Sequence, residues 1–130
     1  MKNDAFENDY IAFRIERGML FADYKKDIEI NLDIAKEIVR DRVALCAGHD
    51  LPHVLNIAGI KSTSKEARDY FSTAGTKHMS CMALITDSPI SRTIGNFFLF
   101  VSKPAVPTRL FIDATEATKW AENFAPAKAV

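Results

Sequence analysis

The run from Cys81 to Asp113, CMALITDSPISRTIGNFFLFVSKPAVPTRLFID, decides the fold. It opens with a short apolar stretch, Met82 to Ile85. A polar turn follows, Thr86-Asp87-Ser88, and Pro89 stands where a helix can begin, because a first-turn N–H has no helical partner to lose. The apolar residues after it recur at helical spacing and stop before Pro104 and Pro107. Leu110 to Ile112 reads as a second short strand. Strand, helix, strand in this order is a crossover, and crossovers build parallel sheets.

Upstream, Ile11, Phe13 and Ile15 alternate with Ala12, Arg14 and Glu16, the pattern of a half-buried strand. Arg17-Gly18 is a two-residue turn, and Met19 to Tyr24 is the returning strand of a hairpin. A helix is expected from Leu32 to near Ala47, capped by Asn31 and stopped by Gly48, with Ile34, Ala35, Ile38, Val39, Leu45 and Cys46 as its apolar stripe. His53 to Ile57 is the next strand. Gly59 and a polar loop, Lys61 to Ser64, lead into a helix whose capping box is Thr63 with Glu66. That helix carries Ala67, Tyr70, Phe71 and Ala74 on one face and ends near Gly75. Asp113 with Glu116 opens a last helix with the stripe Ala117, Trp120, Ala121 and Phe124. The order predicts an α/β fold: one mixed, mostly parallel sheet of about five strands that starts with an antiparallel hairpin, with about four helices.

The 130 residues suit one domain spanning 1–130, with 1–8 and 126–130 expected to fray. Hydrophobic residues make up 48% and charged residues 26%, which places the chain among globular proteins rather than disordered ones. Seventeen basic side chains balance 17 acidic ones, so charge gives no case for a nucleic-acid partner. The balance is uneven along the chain. The N-terminal third is acidic, and Thr76 to Arg109 carries Lys77, Arg92, Lys103 and Arg109 against Asp87 alone. Such asymmetry either orients a partner or is a solvated surface. Cys46 and Cys81 read as reduced, buried thiols. The first ten residues lack the apolar core of a leader, and the longest apolar run, Phe97 to Val101, falls far short of the roughly 20 residues a spanning helix needs. A cytoplasmic protein with no membrane partner is expected.

The stretches NIAGIKSTSKEARDYF, SPISRTIGNFFLFVSKPAVPTRLF and ATEATKWAENF, in this order, resemble the STAS/SpoIIAA-like superfamily. The nearest likeness is to an uncharacterised bacterial branch of small single domains. The resemblance implies a mostly non-enzymatic domain. Its best-understood members are antagonists of anti-sigma factors, which bind a kinase-like partner and are switched by phosphorylation of a Ser or Thr after the central strand. A related set binds small or lipid-like molecules. Carried over, the switch loop is 59–64, with Ser62, Thr63 and Ser64 as acceptors and Lys65, Arg68 and Asp69 as the outward partner surface. The Asp-Ser-Ser/Thr-Gly run of the antagonists is replaced here by Lys61-Ser62-Thr63-Ser64.

Other residues carry competing readings. A phosphate on Thr63 or Ser64 would sit at a helix N-terminus, where free N–H groups favour it, whereas the bland reading of Thr63 is a cap. Arg42 falls within the stripe of the first long helix. It is either a buried, paired arginine, a contact for an anion at a cleft, or a stem along the core edge whose head reaches water or a carboxylate. In the crossover helix the expected core stripe is Ile90, Ile94, Phe97, Phe98 and Val101, leaving Leu99 and Phe100 for a homodimer interface, for extra core contacts or, with Ile94 and Arg42, for a ligand groove. Gly95 would let a backbone or ligand approach closely. Cys46, His49 and His53 fit no zinc spacing, and neither a hydrolase elbow nor a glycine-rich phosphate loop is present, so no metal, cofactor or catalytic residue is assigned. Three functions stand: a regulatory protein-interaction module, a carrier or sensor of a small apolar ligand, and a self-associating domain. An enzyme would need Arg42, His53 or His78 in a cleft with a carboxylate.

Overall fold

The computed structural model describes residues 4–125; the fraying expected at 1–3 and 126–130 lies outside them. The predicted hairpin forms from β2 (Ile11–Glu16) and β3 (Met19–Tyr24), with Ile11 opposite Tyr24 and Glu16 opposite Met19. Arg17 and Gly18 both take positive φ, 52° and 74°, the backbone a tight two-residue turn requires. β1 (Ala5–Glu7) adds antiparallel to β2 inside the segment expected to fray. All three of its side chains are exposed, so it leaves no apolar pattern, and its hold is backbone bonding, continued by Ile15 N–H donating to Asp4 O at 2.7 Å.

α1 (Leu32–Cys46) begins where Asn31 accepts from the Ile34 amide and ends through Ala47 and Gly48, both at positive φ. β5 (Leu51–Asn56) follows and lies at the centre of the sheet. The next segment departs from expectation. Ile60–Thr63, read as part of a polar loop, is a strand (β6) that pairs in parallel with β4 (Ile28–Ile30) as a small second sheet. Only Ile60 of its four side chains is buried, which is why the sequence reads as a loop. Gly59, just before it, is packed so closely under the Tyr24 and Lys25 carbonyls that a Cβ would collide with the backbone. α2 (Lys65–Ser72) is capped by Ser64, whose Oγ accepts from the Ala67 amide at 3.1 Å, one residue later than the Thr63 predicted. A short 3-10 turn, Ala74–Thr76, leads to β7 (Met79–Ile85).

The crossover is present: β7, α3 (Pro89–Phe97) and β8 (Thr108–Phe111), with β7 and β8 parallel. The face of α3 is not the predicted one. Ser91 and Gly95 are buried, Ile94 and Phe98 are half-buried, and Ile90, Phe97 and Val101 are exposed. Gly95 favours this rotation, because a Cβ there would press on the Leu110 side chain and force it to shift. The glycine admits the Leu110 side chain of β8, and it also lines a cavity under the helices. The helix then widens into a π turn, Phe98–Ser102, closed by Lys103 N–H donating to Phe98 O at 3.1 Å. α4 (Ala114–Glu122) starts at Asp113, as expected.

The main sheet has six strands in the order β1-β2-β3-β5-β7-β8, antiparallel through β3 and parallel from there. Alternation sorts its two faces. Leu20, Ala22, Leu55, Met82 and Leu84 pack with Ala35, Ile38 and Ala67 of α1 and α2 and with Ile94 of α3. Met19, Phe21, Val54, Cys81 and Ala83 pack under Ala117 and Ala121 of α4. No helix among the described residues is long and apolar enough to cross a membrane.

Candidate functional site

The face under α1, α2 and α3 is not completely filled. A cavity of about 70 Å³ lies there, walled by apolar side chains such as Ile38, Leu55, Leu84, Ile94 and Phe98. Its polar lining comes from Arg42, Tyr24, Thr63 and Arg68, and no carboxylate contributes to it.

Arg42 is the unusual member. Helical phase puts it between Ile38 and Cys46 on the buried stripe of α1, and it is only 2% exposed. Its head therefore reaches neither water nor a carboxylate, contrary to the core-edge reading. Nη1 lies 3.0 Å from His53 Nε2, and Nη2 donates to the Gly75 carbonyl at 2.7 Å. His53 Nδ1 lies 2.7 Å from the Leu51 carbonyl, which can only accept, so Nδ1 carries the proton and Nε2 presents a lone pair to Arg42. Burial, reinforced by the Arg42 charge, lowers the His53 pKa from 6.5 to about 3 and keeps the ring neutral. Gly75 is held by geometry as well, since a Cβ there would press on the Tyr70 carbonyl.

These two acceptors of Arg42 are thus neutral. Burial lowers its own pKa, opposed by Cys46 and then Tyr24, neither of which is an acid at neutral pH. Burial raises the Tyr24 phenol, and the nearby Arg42 charge counters part of that rise. No carboxylate pairs with Arg42 among the described residues. An unpaired buried ion costs several kcal/mol even after relaxation.

Arg68 closes one side. It was expected to face outward with Lys65 and Asp69, and those two do, joined by an exposed 2.8 Å ion pair. Arg68 instead turns inward. Its Nη1 donates to Thr63 O at 2.6 Å and to Thr63 Oγ1 at 3.2 Å, and its guanidinium lies 4.5 Å from the centre of the Phe97 ring. Together with half-buried Thr63, Phe71, Ile94 and Phe98, it places the more open wall of the cavity between α2 and α3.

Of the three expected acceptors, Ser64 is a helix cap and Thr63 an Arg68 contact, while Ser62 is exposed on β6. Leu99 is half-buried and Phe100 is 68% exposed, and neither lines the cavity that Ile94 and Arg42 share. His78 stands apart, 3.0 Å from Asp50 near the surface. Tyr24 and Gly75 escaped the reading of the site, and His53 was named for it only with Arg42 or His78 under the enzyme reading. Strand alternation carried the signal for two of them, since His53 is in phase with Leu51 and Leu55, and Tyr24 with Leu20 and Ala22. Among the described residues, no cluster of His, Cys, Asp and Glu could hold a metal ion.

Comparison with known proteins adds the family. No curated protein matches the chain. Among solved structures it is similar to an uncharacterised DUF3478-family protein with a SpoIIAA-like fold from Shewanella loihica PV-4. The TM-score is 0.63 at 14% identity, over 89% of this chain and 98% of that one. At that identity the likeness carries the fold alone. A family model described as a domain of unknown function, DUF7793, matches residues 13–125. The match spans nearly all of the described residues, and the chain belongs to the DUF7793 family, borne on a SpoIIAA-like fold.

Proposed function

We propose that this domain binds a small, mostly apolar molecule in the cavity between α1, α2, α3 and the sheet. The observation that carries the reading is the cavity itself: about 70 Å³ of apolar-walled space between the helices and the sheet. Interiors close-pack, and unfilled volume costs stability, so a retained void with a few convergent polar groups is the form a ligand site takes. The reading is of a non-catalytic carrier or sensor. Methyl-resolved NMR with xenon and then butan-1-ol tests it. Saturable shifts confined to Ile38, Leu84 and Ile94 are expected, and their absence would remove the reading.

A protein contact is the second reading, favoured by the exposed apolar side chains Ile90, Phe97, Phe100 and Val101 on α3 and its π turn. A phospho-switch in the manner of the anti-sigma antagonists would rest on Ser62, the one of the three hydroxyl residues not engaged in a cap or an Arg68 contact.

A further inference from the structure

We infer that the bound molecule is a short-chain monocarboxylate and that Arg42 is its counter-ion. This rests on the ligand-binding reading above and names the chemical class of the ligand. The argument begins with charge. Arg42 is a cation enclosed in the core, a lining residue of the cavity, and without an acidic partner among the described residues. Its hydrogen bonds go to a neutral imidazole nitrogen, a backbone carbonyl and the neutral Cys46 thiol, which orient the guanidinium without neutralising it. An arginine has five N–H donors in a planar fork that matches a carboxylate, and these three partners leave part of the fork for one.

The rest of the ligand follows from the walls. Ile38, Leu84 and Ile94 suit methyl and methylene groups. A phosphate dianion would bring a second charge, and the other cation in the lining, Arg68, is half-buried and already spent on Thr63 and Phe97. Size sets the chain length. The cavity is small, about 70 Å³, with its more open side between α2 and α3, so the tail is no more than a few carbons long.

The test compares butyrate with butan-1-ol, which share a tail and differ in charge. Both are titrated into the wild-type protein and into Arg42→Met, followed by methyl NMR in a buffer free of carboxylates. Butyrate is expected to bind the wild type about tenfold or more tightly than the alcohol, the worth of a hydrogen-bonded charged contact. In Arg42→Met that preference disappears while the alcohol still binds. Equal affinity of the two probes for the wild type overturns the carboxylate inference and leaves the apolar cavity in use. Failure of both probes removes the ligand-binding reading and this one with it. Should Arg42→Met fail to fold, the guanidinium N–H resonances of Arg42 in the wild type decide. They are expected to move with butyrate and not with butan-1-ol, and signals unmoved by butyrate overturn the inference.

Discussion

His53 has both ring nitrogens committed, one to the Leu51 carbonyl and one to Arg42, inside a fully buried pocket of the core. A proton added to Nε2 would face the Arg42 cation, which is why burial and that charge together hold the pKa near 3. The sign follows from linkage. In the unfolded chain the ring titrates near 6.5, so between about 6.5 and 3 the unfolded state binds a proton that the native state refuses. The contribution is present in full above 6.5 and is lost as pH falls, by at most about 1.4 kcal/mol per pH unit. His53→Gln keeps an acceptor for Arg42 and cannot titrate. Urea unfolding at a series of pH values from 7 to 4.5 should show the wild type losing stability more steeply than this variant; parallel curves would mean that His53 is not the titrating group. The location of Arg42 was legible in the sequence, because its helical phase set it among Ile38 and Cys46. Its partners were not, since pairing a helix residue with a strand residue needs the tertiary fold. His53 had been weighed as a metal ligand beside Cys46 and His49 and as a cleft residue of an enzyme, when its alternation with Leu51 and Leu55 already put it on a core face.

Elements with a periodic buried side were read correctly, and short elements that bury one side chain or none were not. β2, α1 and α4 have side chains that alternate or recur at the helical period, and burial follows that period, while β3 is buried on both faces and was placed by its turn. β1, β4 and β6 are three or four residues long and bury few side chains or none, so nothing in their composition distinguishes them from loops. α3 failed for a different reason. Its large apolar residues suggested one face, but Gly95 against Leu110 and Ile57 buried the face with the smallest residues. The start of α2 offers a direct check at this scale. Ser64 Oγ takes the Ala67 amide, and Ser62 Oγ takes nothing within the helix. Ser64→Ala should cost about 1 kcal/mol in chemical denaturation, the usual worth of a cap. Ser62→Ala, at an exposed site, should stay within about 0.5 kcal/mol of the wild type. Equal losses at the two positions would place the cap elsewhere.

At the scale of the molecule, the rotation of α3 that buries Gly95 has a cost on the outside. Phe100 is left 68% exposed and Val101 59%, with Ile90 and Phe97 exposed on the same helix and turn. Contiguous apolar surface on a soluble domain usually marks a contact. For a second copy of the chain as that contact, zero net charge gives the two copies no overall repulsion to overcome. Phe97 also sits under the Arg68 guanidinium, and Arg68 lines the cavity, so a copy docked on this patch would lie beside the cavity wall. Each buried Phe is worth about 1.5–3 kcal/mol, and a two-fold contact contains every residue twice. Phe100→Ser should therefore weaken dimerisation by more than about tenfold in sedimentation equilibrium. Ile112→Ser is the matched control, being 73% exposed just after β8, outside α3 and its π turn. It should leave association unchanged. A wild type that remains monomeric at the highest concentration reached would sink the self-association reading, and equal weakening by both variants would move the interface off α3. Either result leaves the cavity and its arginine as they stand, because ligand binding in the core needs no second copy.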